Sequence, residues 1–364
     1  MKNYQQQLAV LPEAKRIVTH MRYEQASELT HLCNHHFTDC AFTILELDEA
    51  EWSGLVFERC EFTHITWKNS GMADCHFIDC RFVHCRFEGS DCTEWISHKC
   101  HFEHCEWLRT QSRKLLFQDS QWKNLNIRDS ISEHWNAVNL NMDGVHLHGG
   151  QACDWNLCRS TLVNCHWQDV LLQRFVTGEC QLNAVRLEHI CGVAPVWFAC
   201  HWQGCDLSGL HFIGGSFHRN HFRLCDLNAT RFSGTVMCES TLDACLLDAA
   251  HFEGIQGQHM RIQSCSLTKS HWAQAHLKHA VFDSCIGENC TFTAPDLRGA
   301  NLAGLPCSAC FTQARLHSAQ GVTEHAASVP EPHLDEIARW YANVQPGPTH
   351  LRYELIATGA SRYV

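Results

Sequence analysis

The stretch CHFIDCRFVHCRF, residues 75–87, restates itself every five positions, with Cys75, Cys80 and Cys85 each followed two residues later by Phe77, Phe82 and Phe87. The same register extends in both directions. Read from Phe37, every fifth residue is Phe42, Leu47, Trp52, Phe57, Phe62, Trp67 and Met72, and the track continues without insertion or deletion to Leu302. Of its 54 positions, 44 are Phe, Leu, Trp, Met or Ile, so the track is a core track. A second track two residues earlier is small: Cys40, Ala50, Cys60, Ser70, Cys75, Cys80, Cys85 and Ser90, holding sixteen of the 24 cysteines. Amphipathic helices need apolar spacing near 3.6 and strands near 2, and neither fits. A period of five calls for a chain that turns a corner in every repeat.

The motifs CHFIDCRFVHCRF (75–87), CDLSGLHF (205–212) and APDLRGANLAG (294–304) resemble the pentapeptide-repeat family, whose pattern is A(D/N)LXX with Leu or Phe central. The resemblance implies an all-β solenoid, a right-handed quadrilateral β-helix with four pentapeptides per coil and about 13 coils. The sequence supports a 20-residue coil independently. Sorted into four sub-tracks of period 20, one of them (Phe42, Phe62, Phe82, Phe102, Trp122 through Phe282 and Leu302) has no exceptions. Nine of the ten exceptions fall on two neighbouring sub-tracks, and where the centre is Ser97, Ala137, Thr177 or Gly257 the residue two before is Trp95, Trp135, Phe175 or Ile255. Such exchange of volume is what close packing demands, and it predicts an internal column at Trp95, Trp135 and Trp155.

Three segments follow. Residues 1–36 read as a helical N-terminal cap with Leu8, Val10, Ile17, Val18 and Met21 as apolar contacts. Residues 37–312 are the repeat, and all five tyrosines lie outside that span. Residues 313–364 hold a linker, a helix near 331–343 started by Pro332 and Asp335, and a tail. Caps are expected because each coil buries its core only against neighbours.

The chemistry-bearing residues point away from catalysis. Cysteine spacing of five is wrong for paired zinc ligands, and Cys there serves as a small hydrophobe. The single Cys-x2-Cys, Cys307 and Cys310, has no second pair to answer it. His64, His84 and His104 should stack at one corner, and His201 with His221 on another row, as solvated ladders. No nucleophile triad, phosphate loop or carboxylate cleft stands out, so the chain reads as a non-enzyme with no cofactor and no metal. No apolar run reaches membrane-spanning length, no secretory h-region opens the chain, and the free thiols suit a reducing, cytoplasmic, bacterial setting.

Net charge is −11, and residues 37–106 hold 14 acids against 5 bases. In 20-residue phase, Asp48, Glu49, Glu51, Asp74, Glu88, Asp91 and Glu94 fall on two adjacent faces and their shared corner, ended by Arg109, Arg113 and Lys114. This acidic patch is the candidate partner-binding surface. Leu334, Ile337, Trp340 and Tyr341 on the C-terminal helix are candidates for partner binding or homodimerisation. Two readings follow. One is a rigid scaffold or adaptor for a protein partner such as a bacterial secretion-system component. The alternative is a DNA mimic that binds a type II topoisomerase (DNA gyrase), as the resemblance implies for some relatives. A basic stripe for direct nucleic-acid binding is absent.

Overall fold

Each pentapeptide places its central residue inward, and the strands that result pair in parallel with strands 20 residues away. The computed structural model describes residues 16–322, except 213 and 307, together with Leu334. It is an all-β parallel solenoid of about 15 turns, roughly 70 Å long at a strand spacing of about 4.8 Å. The register is shown by Phe42↔Phe62, Phe62↔Phe82 and Phe82↔Phe102 on one face. We number the faces in chain order around one coil. Face one carries strands such as Glu61–Lys68 (its first half) and Arg81–Val83, and face two Arg86–Glu88. Face three carries Asp91–Thr93, and face four Ile96–His98.

The corners dictate the local backbone. The residue two after each centre takes a left-handed conformation, with φ of 53° at Asp74, Asp79 and His84, for example. Asn, Asp and Gly reach this region at least cost, yet Ile44, Leu224, Ala249 and several Arg and His residues also occupy it. Stacking of neighbouring coils therefore overrides local preference.

The small track is a hydrogen-bonding position as well as a small one. Cys80 Sγ donates to the carbonyls of Phe57 (3.3 Å) and Ile78 (3.4 Å), and Ser70 Oγ makes the equivalent pair with Leu47 and Lys68. This explains why cysteines favour certain rows. After residue 205 three faces change to hydrogen-bonded β-turns, as where Leu210 N–H donates to Leu207 O with Gly209 at φ 69°. The turn satisfies the central carbonyl by itself, so the small track there admits Leu210, Ala250 and Ala300, while Thr230 and Cys290 still add a bond to the turn carbonyls of Leu207 and Leu267. Face one keeps its strands in this half, at His221–Arg223, Thr241–Asp243, Arg261–Gln263 and Val281–Asp283, and face three regains one only at Thr291–Thr293. Cys225, Cys245, Cys265 and Cys285 follow those four strands, and each thiol donates to the central carbonyl one coil back.

All eleven tryptophans from Trp52 to Trp272 are buried. The expected column exists: Trp135 and Trp155 stack at 4.5 Å and 6°, and Trp95 joins them through Trp107. The exchange of volume holds, with Ser97, Ala137 and Thr177 buried beside the enlarged partners. At Gly257 a Cβ would stand 2.5 Å from Met260 Sδ and 2.9 Å from Leu277 Cδ2.

The ends differ from expectation. A helix was expected across residues 1–36, but Arg16–Thr19, Arg22–Tyr23 and His31–Cys33 are strands, with a short 3-10 turn at Ala26–Glu28. The helical cap is replaced there by a further coil, in which Val18 turns to the core and Ile17 to solvent. The reason is that this coil has 19 residues, pairing Val18 with Phe37 and Tyr23 with Phe42, so the five-residue count fails although the packing continues. Tyr23 consequently lies inside the solenoid, stacked on Phe42 at 4.9 Å. Leu8 and Val10 lie outside the described residues. The other end also shortens by one residue: Phe292 pairs with Phe311 and Asp296 with Arg315, which carries the solenoid past 312 to about 320. Asp296, its side chain 8% exposed, holds this last coil between Arg298 (2.7 Å), Lys278 (3.6 Å) and Arg315 (3.8 Å). Of the helix expected over 331–343 only Leu334 is described, in helical conformation.

Candidate partner-binding surface

The acidic patch is assembled by strand register. Glu51, Gly71 and Asp91 are successive partners on face three, Asp48 and Glu88 lie on face two, and Glu49 takes the corner between those faces. Asp74 and Glu94 stand at the next corner, between faces three and four, at φ 53° and 55°. All seven side chains reach solvent, Glu88 the least.

Their charges are not equally free. Glu88 is held by Arg86 (3.0 Å) and Arg109 (2.6 Å), Glu94 by Lys114 (2.7 Å), and Asp74 faces His76 at 3.3 Å. The bases that were expected to end the patch thus reach back into it, except Arg113, which pairs with Glu133 at 2.9 Å. Among the described residues Asp48, Glu49, Glu51 and Asp91 form no ion pair; Asp48 accepts Asn69 Nδ2 at 3.4 Å and Asp91 accepts Thr93 Oγ1 at 3.1 Å. The Glu51 carboxylate lies over the notch at Gly71, where an added Cβ would stand 2.5 Å from Oε2. Four carboxylates without an ion-pair partner among the described residues thus lie around this notch.

The other candidates are placed as follows. The rings of His64, His84 and His104 stack at 4.8 and 5.1 Å, nearly parallel, so their nitrogens run side by side instead of converging. Among the described residues no three His, Cys, Asp or Glu side chains are grouped as metal ligands would be. His201 and His221 lie 5.9 Å apart. Cys310 is exposed, while Cys307 lies outside the described residues. Burial pushes the Cys75 and Cys165 thiols up to about 12. Ile337, Trp340 and Tyr341 lie outside the described residues. Two shallow depressions on face one, each about 400 Å³, went unnoticed in the sequence. One is lined by Arg81, His101, Glu103, Gln121 and Lys123, the other by Gln181, Asn183, His201, His221 and Arg223. Only the 20-residue register brings these residues together, which is the signal that could have found them. No described helix is long and apolar enough to cross a membrane.

A family model for a pentapeptide repeat region matches residues 196–272, where the β-turn corners begin and become regular. The chain carries a pentapeptide repeat region. The repeat continues well beyond the matched segment, through the strand-cornered coils on its N-terminal side. No curated protein matches the pentapeptide-repeat chain. Among solved structures it is similar to HetL, a pentapeptide repeat protein involved in heterocyst differentiation regulation from the cyanobacterium Nostoc sp. That match has 14% identity and a TM-score of 0.25, and covers 63% of this chain and 89% of that one. A trypsin-treated form of QnrB1, a plasmid-mediated fluoroquinolone resistance protein, matches at 14% identity and a TM-score of 0.24, covering 53% of this chain and 92% of that one. A mannuronic acid specific family 6 polysaccharide lyase from human gut microbiota aligns at 10% identity with a TM-score of 0.19, covering 99% and 98%. At these scores the alignments carry no functional argument.

Proposed function

We propose that this chain is a non-enzymatic scaffold or adaptor whose rigid rod presents the acidic patch to a protein partner. The observation that carries the reading is the unequal pairing within the patch. Asp48, Glu49, Glu51 and Asp91 carry charge that no cation among the described residues neutralises, on a surface whose backbone is fixed by stacking. Fixed, unpaired carboxylates on one end of a rod steer a basic partner and set its orientation. Rigid presentation also spares the ordering cost of binding. A component of a bacterial secretion system is the kind of partner such an adaptor would serve.

The test is retention of a partner from native lysate by the wild type and not by the charge-reversed Asp48→Lys/Glu49→Lys/Glu51→Lys variant. Equal retention by both removes the patch from the binding surface. The DNA-mimic alternative draws on the same carboxylates and predicts loss of DNA gyrase supercoiling at micromolar protein. Duplex DNA carries one charge per about 1.7 Å, whereas Glu88 and Glu94 are compensated by Arg86, Arg109 and Lys114. That compensation favours the adaptor reading.

A further inference from the structure

Face four stands apart from the other three in its charge. Its outward strand positions over ten coils, from His76 and Ile78 to Gln256 and Gln258, hold no Asp, Glu, Lys or Arg. The corresponding ten coils carry seven such residues on face one, ten on face two and five on face three. Apolar side chains take their place, among them Ile96, Val138, Val176 (38% exposed), Val196 and Phe198 (39% exposed). The strands form one continuous parallel ladder from Arg16–Thr19 to Val196–Phe198, which bridges extend through Ser216, Val236, Gln256 and His276.

The corner row along one edge of this face has a second property. In order it reads Asp79, Lys99, Asp119, Asn139, Arg159, Glu179, Ala199, Arg219, Glu239 and His259, all left-handed and all turned outward. Reversed end to end, the row is its own charge complement. Asp79 meets His259, Lys99 meets Glu239, Asp119 meets Arg219, Asn139 meets Ala199, and Arg159 meets Glu179. The centre of this inversion lies between Arg159 and Glu179, which is also the middle of the charge-free span. Arg159 and Glu179 are row neighbours but form no ion pair among the described residues, unlike Arg219 and Glu239 at 2.8 Å. Lys99 and Asp79 are likewise unpaired among the described residues.

We propose that a second copy of this chain packs antiparallel against face four, about a two-fold axis between the rows of Arg159 and Glu179. A self-inverting charge row is what an isologous interface requires, since each position must suit its own mate in the opposite direction. A different partner would impose no such inversion. Two rods of net charge −11 repel on their other faces, and face four is where they meet without apposed carboxylates. On the opposite edge of face four the same operation sets Asp154 against Arg174 and faces Asp74, Glu94 and Lys114 with Gly254, Gly234 and Gly214, so no like charges meet. A parallel pairing would set Lys99, Asp119, Arg159 and Glu179 against Glu94, Lys114, Asp154 and Arg174, groups that already pair with one another within the chain, and would bring Asp79 onto Asp74. Ten strands at about 4.8 Å, three residues wide, give about 500 Å² per partner, and the corner rows add to it. The total of roughly 1,000 Å² or more reaches the range of specific interfaces. The dimer places its two acidic patches on the same side, roughly 47 Å apart at that strand spacing.

The experiment is sedimentation velocity on the full chain across a concentration series, with Arg159→Glu, Glu179→Arg and an equimolar mixture of the two. The wild type is expected to dimerise, and each variant alone to raise the dissociation constant at least about tenfold, because each creates two like-charge contacts. The mixture should regain wild-type affinity, since both contacts in the heterodimer are then opposite in sign. Circular dichroism checks that both variants keep the fold. A wild type that stays monomeric overturns the proposal. So does a dimer indifferent to both substitutions, the expected result if Trp340 and Tyr341 make the contact instead. A mixture without rescue excludes the antiparallel arrangement and points to parallel packing.

Discussion

The indole of Trp135 lies flat on that of Trp155 at 4.5 Å, and its Nε1 donates to Ser112 Oγ at 3.1 Å across the core. The small centres Ser112 and Ala152 on face three make room for these rings, so one face is thinned to let another thicken. Seven buried indoles, Trp155 among them, have no acceptor for their N–H among the described residues. The column is held by packing more than by polar pairing.

Removing that packing should be costly. Trp135→Ala is expected to destabilise by about 3–5 kcal/mol, the usual range for a fully buried large aromatic. Trp122→Phe, which deletes an unpaired donor along with some volume, should cost much less. Chemical denaturation of the two variants checks the ranking, and equal losses would refute the account of the column.

Backbone strain gives a prediction of opposite sign. Ile44 is a β-branched residue at φ 55° with its side chain 74% exposed, so it contributes little packing in return. Ile44→Gly should stabilise by about 1 kcal/mol as the left-handed penalty is relieved. Gly150→Ala should destabilise by roughly 1–3 kcal/mol, because a Cβ there would stand 2.2 Å from Ser130 O, a backbone atom that cannot step aside. The two midpoint shifts in urea test both signs.

Acid should loosen the rod over a defined window. Hydrogen bonds from Arg59 to Asp39, Arg174 to Asp154, Arg81 to Glu103 and Arg219 to Glu239 hold these carboxyls below their ordinary values. Folded values lower than unfolded ones mean that the unfolded chain binds protons first. The stabilisation is therefore complete above the ordinary values of 3.8 for Asp and 4.5 for Glu, and is lost as pH falls through and below them. Thermal midpoints should be level above about pH 5 and fall below about pH 4.5, more shallowly in Asp154→Asn. A midpoint that rises on acidification would contradict this.

The thiols sort by depth. Cys33, Cys191 and Cys310 are exposed, and these should be alkylated quickly in the native protein. The Cys60–Cys80–Cys100 and Cys225–Cys245–Cys265 rows should react only on unfolding. Peptide mapping after brief labelling decides it, and early modification of Cys80 or Cys245 would show that the coils open.

What the sequence determined by itself is the coil. A centre every five residues and an exception-free sub-track every twenty are statements about packing that no local propensity could mimic. They identified the inward faces, the Trp135–Trp155 column and the row on which each acid lies. The ends were not legible, because Tyr23 and Phe311 sit one residue out of phase and a strict count of five passes them by. Pairing was not legible either: Glu88 and Asp91 look alike in the sequence, and only the approach of Arg86 and Arg109 separates a neutralised carboxylate from a free one. The tertiary structure also decided which central carbonyls need a side-chain donor, and that face four joins the ten charge-free coils from His76 to Gln258 into one continuous ladder. Periodicity fixes direction, inward or outward, whereas compensation and surface character depend on which side chains meet across coils.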